Sequence, residues 1–399
     1  MTKVLASVLR TDLIVRYWRS YLLVCVIALI VHAVWVGVFG ISSPTDFRYR
    51  YDPAARQLLA AMGVDQFSNT PVQEIGTYAW SRIGYIAFVA ACYMAWGASL
   101  GAVVYSQIAL VWLVYPLIFH LLLHMTERHA LALWAILAWL SYADGYQWHT
   151  WALPDALYRL VFIASFFVLL RLWEEHRDVA FLAVAGIAIV VCTVVRIETP
   201  LYAAPILLLC ISRLWRQHRR IGWTLLLAVV ATAWFGRRQL GDLWHQFVLL
   251  QTYGFVLPGS GTEIEGLTFL VPPADPSPAQ WLRYGIHLAG LRFWYAITPL
   301  PALWSDAHRL YYALYVTPCY LLIVAAAPVA LRERRLPYLA CLWMFVAGIA
   351  LQVVVSVDPS MRYAYTSQVF LFLCAAMSWP DARALVARWF RSSPASASA

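Results

Sequence analysis

Charge is what this sequence has least of. Only 12% of its residues are Asp, Glu, Lys or Arg, against 62% hydrophobic ones. A soluble globular domain cannot cover its surface with so few charges, which excludes that class. No stretch of short, alternating apolar and polar segments is present, which excludes a membrane β-barrel. The seven cysteines are odd in number and lack metal-ligand spacing, so they read as buried packing thiols. No strand–glycine-rich–helix fingerprint for a phosphate occurs. No small-residue cleavage site follows the first apolar run, so its basic leader (Lys3, Arg10, Arg16, Arg19) reads as that of a retained signal anchor.

What the sequence has is apolar runs of spanning length, roughly 20 residues each, together with twenty Trp. The fold class is therefore all-α, a polytopic helical membrane protein. Runs near 21–41, 100–123, 129–142, 156–172, 179–195, 200–214, 222–236, 310–331, 336–357 and 366–380 give about ten spans. A formal charge of +9 does not imply nucleic acid, because the basic residues lie between spans. With both termini cytoplasmic, the clusters Arg213/Arg216/Arg219/Arg220, Arg332/Arg334/Arg335 and Arg383/Arg388/Arg391 all fall inside, as the positive-inside bias requires. Counting Ile83–Gly97 as a further span would reverse every later loop, so it reads as a re-entrant or interfacial helix. The organisation is a single transmembrane domain over 1–380, outer loops at 42–82 and 237–309, and a cytoplasmic tail at 381–399.

This topology sends most acids to the outer face, where the two long non-spanning segments also lie. Long loops carry function more often than mere connection. The first is acidic, aromatic and broken by proline: Ser43-Pro44-Thr45-Asp46-Phe47-Arg48-Tyr49-Arg50-Tyr51-Asp52-Pro53. Asp46, screened by Phe47, Tyr49 and Tyr51, is the first candidate for a general base. Asp52 is its rival, yet Asp52-Pro53 followed by Ala54-Ala55-Arg56 and closed by Gly63 also reads as a capped helix. Asp155 after Pro154 reads first as a helix cap. His149, between Trp148 and Trp151, could stack on a sugar ring or belong to an interfacial aromatic belt.

The order of these pieces resembles the GT-C superfamily of membrane glycosyltransferases, in particular its protein-mannosyltransferase and lipid A aminoarabinose-transferase branch. Asp46 followed by Tyr51, Ala55 and Leu58 is similar to that family's acid-led first loop. Ser81-Arg82-Ile83-Gly84-Tyr85 resembles its Arg-Pro-Pro-Gly-Tyr element without the prolines. Leu153-Pro154-Asp155-Ala156-Leu157-Tyr158, Ala185-Gly186 with Arg196-Ile197-Glu198, and Ser360-Met361-Arg362-Tyr363 resemble later segments in the same order. The resemblance implies a GT-C-like fold with an outer juxtamembrane helix layer. It also implies a polyprenyl-phosphate sugar donor, a lipid, glycan or protein acceptor, and inversion at the sugar. Asp46, or Asp52, would act as base; Arg362, Tyr363 and Arg196 would hold the donor phosphate, and Asp155, Tyr85 and His149 the substrate. No cofactor is expected, and the missing Asp-x-Asp pair argues against a divalent metal. The short tail without a retention signal points to a bacterial inner membrane with a periplasmic outer face. Two other readings remain open at this stage: a transporter or flippase of lipid-linked glycans, and a non-catalytic GT-C-like subunit.

Overall fold

The computed structural model describes residues 11–44, 47–67, 82–142, 144–175, 178–195, 223, 277–297, 306–333, 336–355 and 362–392. These residues are almost entirely helical and contain no strand beyond an isolated bridge between Ser42 and Trp151. Five helices among them are long and apolar enough to cross a membrane: Trp18–Phe39, Leu100–Thr126, Asp155–Glu174, Arg309–Arg332 and Gln368–Ala387. That is the pattern of a multi-pass membrane protein. The expected spans at 200–214 and, Trp223 apart, 222–236 lie outside the described residues.

The contacts divide the chain into two units, residues 1–204 with 375–399, and residues 205–374. The first unit opens with α1 (Thr11–Arg16) and α2 (Trp18–Phe39). A π-helical turn at Phe47–Tyr51 runs straight into α3 (Asp52–Ala61), and α4 (Ile83–Trp96) follows. Next come α5 (Leu100–Thr126), α6 (His129–Leu140), α7 (Asp144–Thr150), α8 (Asp155–Glu174) and α9 (Asp178–Val195).

At the centre stands α5, which packs against α2, α4, α6, α7 and α8. Over its most apolar window α5 is 61% buried, whereas α2 is only 17% buried. A helix apolar all round with so little protein cover suits a position at the lipid boundary. The start of α5 is set by Ser99, whose Oγ accepts the Ala102 N–H at 3.1 Å. Its end is set by Glu127 in the left-handed region, φ 52°.

Polar pairs fix the helix directions. At one end of the bundle Tyr21 Oη lies 2.6 Å from His120 Nδ1, and Ser20 Oγ lies 2.7 Å from His129 Nε2. His124 Nε2 meets Glu174 Oε2 there at 2.9 Å, with Arg171 on the same carboxylate at 3.0 Å. At the opposite end the Ser42 N–H donates to the Thr150 carbonyl (3.1 Å) and the Ala152 N–H to the Ser42 carbonyl (3.2 Å). Hence α5 and α8 run parallel, and α2 runs antiparallel to both.

The short helices α3 and α4 gather at this Ser42 end. With 14 residues, α4 is about 21 Å long at 1.5 Å per residue, short of a bilayer's hydrocarbon core of about 30 Å. It also crosses α5 instead of lying alongside. Tyr85 bonds Gln107 while Cys92, two turns later, meets Ser106, one residue away on α5. By length Ile83–Trp96 falls short of a full span, and so does the 12-residue α6, which lies on the expected span 129–142. Gly63, expected to close α3, does so with φ 76°.

The expected N-cap at Asp52 is not found. The cap position is Tyr51, no side chain caps the helix, and Asp52 is already its first residue. The preceding π-helical turn leaves no loop residue to act as cap. Asp155 likewise starts α8 behind Pro154 without capping it.

The second unit contains α10 (Pro278–Ile297), α11 (Asp306–Tyr311), a π-helical turn at Tyr312–Val316, α12 (Thr317–Arg332) and α13 (Leu336–Val355). Helix α14 (Arg362–Ser392) contributes residues to both units. It continues through Pro380, so the tail expected from 381 begins as helix. The expected outer loop 237–309 likewise contains α10. That helix starts with a capping box, the Ser277 N–H donating to Gln280 Oε1 at 2.8 Å and the Gln280 N–H to Ser277 Oγ at 3.4 Å, with Pro278 as first residue. The six described cysteines are free thiols, and five are buried.

Gly84 lets α4 meet the end of α9. A Cβ there would stand 3.0 Å from both Val194 Cγ2 and the Val194 carbonyl oxygen. Gly84→Val is expected to destabilise the chain by about 1–3 kcal/mol through overpacking. Gly186→Ala, with nothing within 4 Å of the added carbon, is expected to be neutral or to stabilise by up to about 1 kcal/mol. Thermal unfolding of both variants in detergent checks the contrast.

Candidate functional site

The Ser42 end of the first unit concentrates the polar side chains that the sequence singled out. Its outermost group is on α3. Asp52 Oδ1 accepts from Arg56 Nε–H at 2.9 Å, one turn on, and also from the Tyr93 hydroxyl of α4. The Arg56 guanidinium lies over the Tyr93 ring (5.4 Å) and the Phe67 ring (5.9 Å). With its side chain 25% exposed, this carboxylate is reachable from outside yet held by two donors. Both ties are charge-assisted, the stronger kind of hydrogen bond.

Behind it sits an enclosed chain of neutral groups. The Tyr51 ring meets the Tyr85 ring edge-on at 5.1 Å. The Tyr85 hydroxyl donates to Gln107 Oε1 at 2.6 Å, and Gln107 Nε2 donates to the Trp151 carbonyl at 2.9 Å. Asp155, fully enclosed at the start of α8, is near enough to act on Tyr85 through its charge. An acid in the first turn also suits the positive end of the helix dipole. Tyr85 and His149, which the resemblance casts as substrate contacts, both have no exposed surface here. Their polar atoms are directed at protein partners.

The deepest group joins α2, α7 and α8. His32, His149 and Arg159 are exposed by 1%, 0% and 1%. Arg159 Nη1 donates to His149 Nε2. His149 Nδ1 lies 2.9 Å from His32 Nε2, and His32 Nδ1 lies 2.7 Å from the Ala28 carbonyl. The two rings stack at 5.1 Å, walled by Tyr115 of α5 and Tyr146 of α7. The partners settle the tautomers. A guanidinium has no lone pair to offer, so His149 must accept on Nε2 and carry its proton on Nδ1. A carbonyl only accepts, so His32 carries its proton on Nδ1 and accepts on Nε2. Both rings are therefore neutral.

The sequence reading missed His32 and Arg159, although the signal was present: an ionisable residue inside an apolar span marks an interior polar site. Asp46 and Arg196 lie outside the described residues. The flanks of Asp46 are in view, with the Pro44 carbonyl accepting the Phe47 and Arg48 N–H groups at 3.0 and 3.1 Å. Arg362 and Tyr363 open α14, and their side chains lie outside the described ones. Among the described residues, no three His, Cys, Asp or Glu side chains converge as a metal site.

Comparison of the chain with known protein families, with curated proteins and with solved structures found no match. What the site does is therefore argued from its own chemistry.

Tyr93→Phe removes a charge-assisted donor from Asp52 while leaving the ring under Arg56. It is expected to cost about 1.5 kcal/mol, the low end for a hydrogen bond to a charged group because the site is partly wet. Chemical denaturation of the variant against the parent, in the same detergent, measures this.

Proposed function

We propose that this chain is a GT-C-type membrane glycosyltransferase, moving a sugar from a polyprenyl-phosphate carrier to an acceptor on the outer, periplasmic face of a bacterial inner membrane. One observation carries the reading. The loop that leaves the first long apolar helix leads directly into a layer of short helices, and that layer holds a reachable carboxylate at the mouth of the bundle. Such a layer is what the first-loop resemblance implies, and a lipid-anchored donor has to be met at this depth.

In this reading Asp46 is the general base. It takes the proton from the acceptor hydroxyl while the acceptor oxygen bonds to the anomeric carbon. The bond from that carbon to the carrier phosphate breaks, with inversion. Asp52 is the less suitable base, since one of its oxygens already accepts from Tyr93 and Arg56. Its role is to tie α3 to α4 beneath the loop. Arg362, Tyr363 and Arg196 supply the charge-assisted contacts that stabilise the departing phosphate. The acceptor is a lipid, glycan or protein hydroxyl. Neither a metal nor another cofactor is required, because a phosphate-linked sugar brings its own leaving group.

A second reading, transport of a lipid-linked glycan, draws on the enclosed His32–His149–Arg159 group, since transporters keep ionisable side chains inside the membrane.

Purified protein and a panel of radiolabelled prenyl-phosphate sugars test the proposal. Transfer is expected from at least one donor, and Asp46→Asn is expected to lower turnover by about 10²–10⁴-fold with unchanged membrane insertion. Asp52→Asn is expected to lower stability more than turnover. Normal turnover in Asp46→Asn removes Asp46 from the mechanism. Absence of transfer from every donor, combined with glycan flux in proteoliposomes, replaces the transferase by the transporter.

A further inference from the structure

We infer that His32, His149 and Arg159 form a neutral-imidazole latch that registers the corner at residues 149–155 against the end of α2, and that the latch holds only while each ring carries a single proton. The inference that its closure serves group transfer rests on the proposed function; the latch itself rests on geometry.

Two kinds of tie join the same pair of segments. Side chains link His32 of α2 to His149 of α7 and onward to Arg159 of α8. Backbone hydrogen bonds link Ser42, just past α2, to Thr150 and Ala152, just past His149. The loop carrying Asp46 leaves from Ser42, and Asp155 follows from Ala152 within the same corner. Setting α2 and the α7–α8 corner in register thus sets the start of the first loop at Ser42 and the enclosed Asp155 relative to one scaffold. His32 and His149 are positioning residues in this account, acting through the corner and not on substrate.

Every ring nitrogen has a fixed polarity, so a second proton has no place to go. A proton on His149 Nε2 would face an Arg159 N–H, donor against donor and cation against cation. A proton on His32 Nε2 would face the His149 N–H in the same way. The other groups facing the pair are the rings of Tyr115 on α5 and Tyr146 on α7. The Tyr146 hydroxyl is directed to the Leu140 carbonyl. From α8 the facing charge is Arg159 itself, with Asp155 one turn earlier; the stretch of α2 around His32 brings the apolar Ala28 and Trp35.

Burial first, then the Arg159 charge, then His32, hold His149 well below the ordinary histidine value of 6.5. An unfolded chain takes up a proton below about 6.5 that the folded chain refuses, so stability is full above that pH and falls as pH drops towards the lowered folded value.

The experiment follows amide hydrogen exchange at Ser42 and Ala152 in the full chain in detergent micelles. Rates are corrected for intrinsic exchange and compared at about pH 7.5 and about pH 5.5, either side of the free histidine value. In the parent, protection of both amides is expected to fall by about tenfold at the lower pH, the scale of one lost hydrogen bond. His149→Gln keeps an acceptor for Arg159 and a donor for His32 without titrating. It is expected to retain protection at the higher pH and to show a smaller acid loss. His149→Ala is expected to lose protection at both. Parent-like protection in His149→Ala overturns the latch. An acid loss in His149→Gln as large as the parent's overturns it as well, and does so even where the alanine variant fails to fold. In the transfer assay, a weakened acid limb in His149→Gln ties the latch to turnover. Parent protein that shows the exchange behaviour but transfers no sugar keeps the latch and removes the transferase.

Discussion

An arginine enclosed in an apolar bundle cannot shed its charge, so its surroundings must supply acceptors or the fold fails. Arg159 meets that demand with the lone pair of a neutral histidine. The demand then propagates, because the His149 proton needs an acceptor and finds His32, whose own proton needs one and finds the Ala28 carbonyl. Three helices must reach the same depth for this sequence of donors to close. Ser42 is thereby brought beside Trp151, and the first loop of the chain emerges at the start of α8 and not elsewhere around the bundle.

The two networks above it obey the same rule with less at stake. Tyr85, Gln107 and the Trp151 carbonyl satisfy one another inside the bundle, and their being neutral keeps that layer inexpensive to enclose. Asp52, Tyr93 and Arg56 stand further out, where water shares the burden of solvating the charge and the carboxylate remains in reach. The Asp52 carboxylate thus lies at the mouth, while Tyr85, Gln107, Asp155, His149 and Arg159 behind it are all enclosed.

Much of this was legible in the sequence because hydrophobic runs report burial in lipid directly. The runs led to α2, α5, α8, α12 and α14, and Gly63 marked the end of α3. The failures have local causes. Asp52-Pro53 has the residues of a helix start, but the chain enters α3 through a π-helical turn, and no pattern of residue types announces that. The segment 237–309 reads as an outer loop because no run of spanning length lies in it, although Ser277-Pro278-Ala279-Gln280 carries a helix-start signature within it. His149 invited an interfacial reading because Trp148 and Trp151 flank it, whereas its partners His32 and Arg159 lie 117 and 10 residues away. Single-residue neighbours show what a side chain could touch; the tautomer logic needs to know what it does touch.

The polarity of that chain also bears on the choice between chemistry and transport. A proton relay must be able to turn over, each member releasing on one side what it receives on the other. Here the series terminates at a guanidinium, which does not release a proton under working conditions, and at a backbone carbonyl, which does not take one. Protons therefore do not pass along it, and proton-coupled transport through this bundle would need a different path. A series that cannot turn over is still well suited to holding two segments in one register. Group transfer asks for that kind of fixity, since a misplacement of about 1 Å between base and reacting centre is enough to lose about a hundredfold in rate.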